Sequence, residues 1–170
     1  MESGGSESNA RGSGAIERVR RYYESRDYVR RGICLLNARC YEQAVTAFSA
    51  GLKLHPESTN LSDYLARSYV GCGDYRGAAE QMSAAADRDP QDTTSRIRHA
   101  LLLWKNDEPK GAIASLRSAI VDDPECAELH FQLGTILASV DESREAEMRF
   151  TTALSIDGRH VEAMISLAMC

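Results

Sequence analysis

Apolar residues recur every three or four positions in short stretches of the chain, which is the spacing of helices with one buried face. Residues 58–90 show the pattern as two stretches, broken at Gly71 and Gly73 and stopped at Pro90. They predict an antiparallel pair of amphipathic helices. Alone, such a hairpin leaves its apolar face in water, so the pattern also predicts a neighbour that covers it.

The hairpin pattern recurs at a fixed period, which the equal spacing of Pro56, Pro90 and Pro124 shows. Three columns of small residues and one of large apolar residues keep this period: Ala44, Ala78, Ala112 and Ala146; Gly51, Ala85, Ala119 and Ala153; Gly32, Ala66, Ala100 and Gly134; and Phe48, Met82, Leu116 and Phe150. Small residues mark close approach of two helices, and large ones fill the space between hairpins. A fixed period of this size predicts a solenoid.

The period predicts four hairpins followed by the start of a fifth. Their helices are expected near 25–38 and 41–54, 59–71 and 75–88, 93–105 and 109–122, and 127–139 and 143–156. As domains, the sequence predicts a disordered tail over 1–14, a helical extension over 15–24, four repeats over 25–58, 59–92, 93–126 and 127–158, and a partial fifth repeat or terminal helix over 159–170.

These columns resemble the tetratricopeptide repeat family, a helix-turn-helix unit of about 34 residues. The family's tryptophan-like position holds Tyr28, Ser62, Arg96 and His130. Its leucine position holds Arg31, Leu65, His99 and Leu133. Its tyrosine-like position holds Leu35, Tyr69, Leu103 and Leu137. Arg31 and His99 depart from the pattern. The resemblance implies an all-α, right-handed superhelical solenoid of antiparallel helix hairpins. It also implies a non-enzymatic protein-protein interaction module, an adaptor or scaffold.

Composition and charge narrow the class of partner. The formal net charge is −5, which disfavours broad affinity for nucleic acid and favours a protein or peptide partner. No apolar run is long enough for a membrane span, and no signal-peptide pattern opens the chain, so a cytoplasmic location is expected. One region is rich in arginine: Arg18, Arg20, Arg21, Arg26, Arg30 and Arg31. It is interpreted either as a solvated helix end or as a patch for an acidic partner or anionic nucleic acid.

The sequence offers little catalytic or metal chemistry. The five cysteines, at 34, 40, 72, 126 and 170, are odd in number and lack zinc-site spacing, and several are expected to be small buried thiols. The four histidines are scattered, so no metal site is predicted. No catalytic residues, cofactor or small-molecule substrate are predicted.

The resemblance implies where a partner would bind. In that family the first helix of each unit lines a concave groove, and the matching candidates are Arg26, Val29, Ile33, Leu36, Asn37, Asn60, Asp63, Arg67, Ile97, Arg98, Leu101, Trp104, Phe131 and Thr135. Val29 and Ile33 replace the polar residues that some members use to grip a carboxylate, and only Arg98 resembles one of them. An apolar strip of this kind favours an amphipathic helix or an extended apolar segment. Trp104 is interpreted either as an exposed anchor or as packing between helices.

Two other functions stay open. The final stretch carries apolar side chains at Val161, Met164, Ile165, Leu167 and Ala168, followed by Cys170, and favours self-assembly into a homo-oligomer through the C-terminal helix. The groove could equally hold the N-terminal helix of another copy or the chain's own terminus. Alternatively, the repeats are the targeting region of a larger enzyme.

Overall fold

The computed structural model describes the backbone of residues 5–169 and the side chains of residues 20, 21 and 23–169. Within these residues the chain has no strand and consists of nine helices: α1 (Gly5–Asn37), α2 (Tyr41–Leu54), α3 (Thr59–Cys72), α4 (Tyr75–Arg88), α5 (Thr93–Lys105), α6 (Pro109–Asp122), α7 (Ala127–Ser139), α8 (Ser143–Ile156) and α9 (Val161–Met169). They form two compact units, Met1–Asp74 with α1 to α3 and Tyr75–Cys170 with α4 to α9. Within each unit, every helix packs against the next one along the chain.

The predicted helices of the four hairpins are all present. From α2 to α8 their ends fall within one residue of the predicted ends, and α9 begins the fifth unit. The boundaries of the four repeats stay a prediction. The limit between the two compact units falls inside the second predicted repeat, between Asp74 and Tyr75.

The N-terminal segment differs from its prediction. The sequence predicts a disordered tail over residues 1–14, whereas α1 already begins at Gly5 and also includes the predicted extension over 15–24. Residues 1–4 lie outside the described part of the chain. No proline interrupts this segment, and adding one residue to an existing helix gains a hydrogen bond without a new nucleation step. The content of Gly and Ser, on which the prediction of disorder depends, does not capture this propagation.

The turn inside each hairpin has the same backbone conformation. Its central residue is left-handed in all four hairpins, with φ of 59° at Arg39, 79° at Gly73, 63° at Asp107 and 64° at Asp141. The next N–H donates to the carbonyl five residues earlier in each case: Cys40 to Leu35, Asp74 to Tyr69, Glu108 to Leu103 and Glu142 to Leu137, at 2.9 to 3.0 Å. This is the hydrogen bonding of a Schellman helix end. The four left-handed residues keep the repeat period, although only one is glycine.

The four sequence columns are the core of the hairpins. Ala44, Ala78, Ala112 and Ala146 are fully buried, and Phe48, Met82, Leu116 and Phe150 are at most 2% exposed. The other two small columns are buried as well. Burying an apolar side chain of this size stabilises the fold by roughly 1.5–3 kcal/mol, so the columns account for much of the packing energy.

Where a phenylalanine ring of the second helix packs against the first helix of a hairpin, the residue beneath the ring is glycine. A β-carbon built on Gly134 would lie 2.7 Å from Phe150 Cε1 and 3.2 Å from the Ala146 carbonyl oxygen. One built on Gly32 would clash with the ring of Phe48 in the same way. In the third hairpin the same two repeat positions hold Ala100 and the shorter Leu116, and both are buried in one core. The size of the small residue therefore follows the size of the large one that covers it.

The cysteines are not the buried thiols that the sequence predicts. Cys34, Cys40 and Cys72 are exposed and Cys126 is half-buried, while Cys170 lies outside the described residues. Three of the four lie at helix ends: Cys40 and Cys126 each precede a helix, and Cys72 is the last residue of α3. Helix ends face solvent more than helix centres, which explains the error. Although Cys72 is exposed, partial desolvation of its thiol, together with the carboxylates of Glu42 and Asp74, raises the pKa of this group.

The two departures from the family's leucine position are accommodated differently. Arg31 is exposed, whereas Leu65 and Leu133 at the same repeat position are buried. His99 is half-buried, and its Nδ1 lies 3.2 Å from Ser115 Oγ on α6. Burial lowers the pKa of His99, and this effect exceeds the opposing effect of the Asp87 carboxylate. A half-buried imidazole next to a hydroxyl thus occupies the leucine position.

We expect Gly134→Ala to destabilise the chain because its β-carbon would overlap the Phe150 ring. Overpacking typically costs about 1–3 kcal/mol, partly offset by the roughly 1 kcal/mol that alanine gains over glycine in a helix. Gly111→Ala is the matched control, since its β-carbon would meet only Leu103 Cδ1, at 3.6 Å. Urea denaturation followed by circular dichroism should show a lower midpoint for Gly134→Ala and a higher one for Gly111→Ala. Phe150→Leu should reduce the penalty of Gly134→Ala, and equal penalties in both backgrounds would contradict this packing account.

We expect His99 to make stability depend on pH below about 6.5, the ordinary pKa of histidine. Because its folded-state pKa is lowered, the unfolded chain binds a proton first as the pH falls, and the free energy of unfolding decreases. His99→Gln should remove this part of the slope. Urea midpoints at pH 7.5 and 5.5 measure it in both proteins, and the other histidines contribute equally to each. An identical pH dependence in the two proteins would show that His99 is not the source.

Candidate partner-binding surfaces

In the second unit, the first helices of two hairpins, α5 and α7, contact each other and share one face. Ile97, Leu101 and Trp104 follow one another on α5 at helical spacing, so they form a stripe. All three are partly buried and pack against the core of the unit. The Trp104 indole therefore combines both interpretations from the sequence, because it packs against the core and still has accessible surface.

The stripe continues on α7 through Phe131 and Thr135. Two tilted ring contacts hold Phe131, whose centroid lies 5.9 Å from that of Phe150 and 4.7 Å from that of His160. The Thr135 hydroxyl donates to the Phe131 carbonyl at 3.0 Å, so it is engaged within its own helix. Arg98 is exposed beside Ile97.

Two residues of α9 belong to this face and are not among the candidates. Ile165 lies one repeat period after Phe131, and Met169 lies one repeat period after Thr135. They are 53% and 77% exposed. The repeat period is the signal in the sequence that identifies Ile165 and Met169. They are not among the candidates because the fifth unit was interpreted as a terminal helix.

His160 closes this face at the start of α9. The Ala163 N–H donates to its Nδ1 at 3.3 Å, which assigns the ring proton to Nε2, 3.2 Å from Glu128 Oε2. The ring thus caps α9 and links it to α7, and its side chain is only 9% exposed. No sequence pattern indicates this role, since histidine is not a usual capping residue.

A cavity beside this ring is predominantly acidic. Its wall includes the carboxylates of Glu128, Asp157 and Glu162, against the single guanidinium of Arg159. Phe131 supplies an apolar side of the same cavity. An arrangement of this kind favours a basic or hydrogen-bond-donating group next to an apolar one.

In the first unit, the candidates lie on α1 and α3, which contact each other. Val29, Ile33 and Leu36 are partly buried and pack against the core formed by Ala44, Phe48, Leu61 and Leu65. Arg26, Asn37, Asn60 and Arg67 are exposed, and Asp63 is half-buried. The Arg67 guanidinium carbon lies 6.0 Å from the centroid of Tyr64, which stacks on Phe48 at 5.2 Å.

The second helices of the hairpins present a different surface. Glu145 on α8 accepts hydrogen bonds from Arg117 of α6 at 2.8 Å and from Arg149 at 3.1 Å. Burial acts to raise the pKa of Glu145, but the two arginines outweigh it and hold the pKa below its ordinary value. This ion-pair network makes the α6–α8 surface more polar than the stripe on α5 and α7.

Other kinds of site find no support in the described part of the chain. Among its residues, no group of three or more His, Cys, Asp or Glu side chains is arranged to hold a metal ion. Nor does any helix between residues 5 and 169 combine the length and apolar character needed to cross a membrane.

Comparisons with known proteins agree with this architecture. Residues 97–168 match the model of the tetratricopeptide repeat family. Anaphase-promoting complex subunit 3 of Schizosaccharomyces pombe is 25% identical over 128 residues, which cover 75% of this chain and 19% of that protein. The chain therefore spans about a fifth of the length of this curated relative.

Crystal structures of two other proteins share the fold. The MamA protein superposes with a TM-score of 0.69 at 20% identity, over 86% of this chain and 80% of that one. YrrB, described as a TPR protein with an unusual peptide-binding site, gives 0.62 at 21% identity, over 92% and 80%. The fold class predicted from the sequence, an all-α solenoid of antiparallel helix hairpins, is thus confirmed. The resemblance to the tetratricopeptide repeat family that was read from the repeat columns is confirmed as well.

Proposed function

We propose that this chain is a non-enzymatic adaptor that binds a segment of a partner protein on the face formed by α5, α7 and α9. The observation that carries the proposal is the stripe of partly exposed apolar side chains at Ile97, Leu101 and Trp104, with Phe131 beside it. Aromatic side chains that keep accessible surface on a rigid core are typical anchors of protein interfaces. The peptide-binding site described for YrrB supports the use of this fold for such a task.

The acidic cavity next to His160 favours a basic residue at one end of the proposed segment, which sets the direction in which the segment would lie on the face. Its apolar side chains would lie along the stripe, and a Lys or Arg side chain would lie near Glu128 and Glu162 at the α9 end. In the first unit, Arg26, Asn37, Asn60 and Arg67 offer exposed polar groups, and Val29, Ile33 and Leu36 offer apolar ones. We include these residues in the proposed partner-binding set, together with Asp63, Arg98 and Thr135.

The relative from fission yeast is by name a subunit of a complex, which supports an adaptor or scaffold role. A cytoplasmic location stays a prediction, as does the alternative that the repeats target a larger enzyme.

We expect truncation of the stripe to weaken binding of a partner segment. The probe is a fluorescein-labelled peptide selected from a random displayed library on the intact chain. Trp104→Ala and Leu101→Ala should each weaken its affinity about 5- to 30-fold, or roughly 1–2 kcal/mol, because each removes apolar contact area. Fluorescence anisotropy measures the effect, and Arg67→Ala extends the test to the first unit.

Val121→Ala is the matched control for these variants. Val121 is 81% exposed on α6, away from the stripe, so its truncation removes a similar apolar group from a different surface. Unchanged thermal unfolding would show that the variants are folded. The proposal fails if the selected peptides bind Trp104→Ala and Leu101→Ala as tightly as the parent chain.

Self-assembly is a second candidate, favoured by the exposed apolar side chains of Val161, Met164, Ile165 and Met169. Light scattering on size-exclusion eluate, over a hundredfold range of concentration with reductant present, measures it. If this candidate is correct, the mass rises above 18.7 kDa, and Ile165→Ser with Met169→Ser abolishes the rise. A constant mass at the monomer value would remove self-assembly from consideration.

A further inference from the structure

The residue before each of α3, α5 and α9 caps that helix with its side chain. Before α3 the acceptor is the hydroxyl of Ser58, 3.4 Å from the N–H three residues later, and before α5 it is the carboxylate of Asp92, at 3.2 Å. Both are residue types preferred at this position. His160 lies two repeat periods after Asp92, and its Nδ1 accepts from the Ala163 N–H at 3.3 Å. An imidazole therefore caps α9 in place of a hydroxyl or a carboxylate.

An imidazole can cap a helix only while it is neutral. The neutral ring has one acceptor nitrogen, and protonation turns that nitrogen into a donor. Histidine is the side chain whose charge changes between pH 8 and 5. Protonation of His160 would direct an N–H group at the Ala163 N–H and place a positive charge at the positive end of the α9 dipole. Neither change is possible at the hydroxyl of Ser58.

The nitrogen that caps α9 also lies next to a carboxylate. His160 Nδ1 is 3.5 Å from Glu162 Oε2, and Nε2 is 3.2 Å from Glu128 Oε2. In the neutral ring only Nε2 carries a proton, so the ring donates to Glu128 alone. In the protonated ring both nitrogens carry a proton, and Glu162 becomes the second acceptor. A single atom, Nδ1, thus has two alternative partners.

The groups around the ring come from α7, the loop before α9 and α9 itself. α7 contributes Glu128 and the ring of Phe131, the loop contributes Asp157 and Arg159, and α9 contributes Glu162. Three of these four charged groups are carboxylates, and Arg159 is the opposing cation. The carboxylates supply the hydrogen-bond acceptors that the ring needs once it no longer caps the helix.

We propose that His160 is a proton-operated cap, which switches between α9 and the acidic cavity. The neutral ring holds the first turn of α9 and leaves Glu162 to the cavity. In the protonated ring Nδ1–H donates to Glu162, the Ala163 N–H loses its acceptor, and the first turn of α9 loosens. This switch is a property of the folded chain alone and does not rest on the function proposed above.

The effect of the switch on a partner does rest on that function. A basic side chain of the partner would meet Glu128 and Glu162 as free counter-charges only while the ring is neutral. Protonation adds a positive charge between the two carboxylates, so it competes with the basic side chain. Mild acid would therefore release a partner that uses this cavity.

Amide hydrogen exchange of the intact chain, followed by NMR, measures the cap. Protection factors, which remove the pH dependence of intrinsic exchange, are compared at pH 7.5 and 5.5 for amides at the same helix position. The Ala163 amide should lose protection about fivefold or more at the lower pH. The Leu61 and Ser95 amides, which Ser58 and Asp92 cap, should each stay within about twofold.

His160→Ser is the matched variant, because serine caps α3 at the same repeat position and gains no charge. Its Ala163 amide should keep the same protection at both pH values. Glu128→Gln combined with Glu162→Gln keeps the imidazole and removes its two counter-charges, so the loss of protection at pH 5.5 should be smaller than in the parent chain. The ratio of protection between the two pH values reports the switch even where a variant is less stable at both.

The effect on a partner is measured with a library-selected peptide that contains lysine or arginine and no histidine, and whose binding Glu162→Gln weakens. Its affinity for the parent chain should fall about fivefold or more from pH 7.5 to 5.5, and its affinity for His160→Ser should stay within about twofold. Equal affinity for the parent chain at both pH values would refute this effect. Failure of the adaptor function is seen separately, as peptide binding at pH 7.5 that is insensitive to Trp104→Ala and Leu101→Ala.

Two results would overturn the proposed switch. One is unchanged protection of the Ala163 amide between pH 7.5 and 5.5 in the parent chain, since the cap would then not respond to the proton. The other is an equal loss of protection in His160→Ser and in the parent chain, because a different group would then be its source.

Discussion

In the first and fourth hairpins, a large apolar side chain of the second helix packs against a glycine of the first helix and determines how the two helices fit together. Phe150 lies over Gly134 and Phe48 over Gly32, and the third hairpin has the smaller Leu116 and the larger Ala100 at the same repeat positions, both buried in one core. The contact sets the distance between the helices, because a larger residue in the small column has no space. The alanine column at 44, 78, 112 and 146 is fully buried, as expected for a second point of close approach. The rest of the packing depends on this spacing.

The sequence predicted this part of the structure well because packing of this kind depends on residue size and on the repeat period. Helix ends from α2 to α8 were predicted within one residue, since apolar spacing and punctuation mark them directly. The left-handed turn residues were not predicted, because backbone hydrogen bonds impose the conformation on Arg39, Asp107 and Asp141 alike. Propagation of α1 to Gly5 and the exposure of the cysteines at helix ends were missed for similar reasons, as both depend on context and not on residue type.

The candidate surface could be predicted only in part. Periodicity placed Ile97, Leu101 and Trp104 on one stripe of α5, and the structure has them partly exposed on the core. The same period extends to Ile165 and Met169, which the sequence indicated only as part of a terminal helix. The role of His160 depends on contacts with Glu128 and Ala163, which lie on different turns or helices, so no local pattern indicates it. The apolar stripe can be predicted from the sequence because it follows the repeat period. The polar end of this face, at His160, depends on contacts at one place in the chain, so the period does not predict it.

The uniform turn inside each hairpin has a consequence for how this chain can vary. Its geometry depends on main-chain hydrogen bonds, so different residue types can occupy the left-handed position, as Arg39, Gly73 and Asp107 illustrate. Its length is not interchangeable. One inserted or deleted residue there would shift the N–H that donates to the carbonyl five residues earlier, so this hydrogen bond could no longer form with the same geometry. A change of length by a single position in the turn would therefore be more disruptive than most substitutions within it.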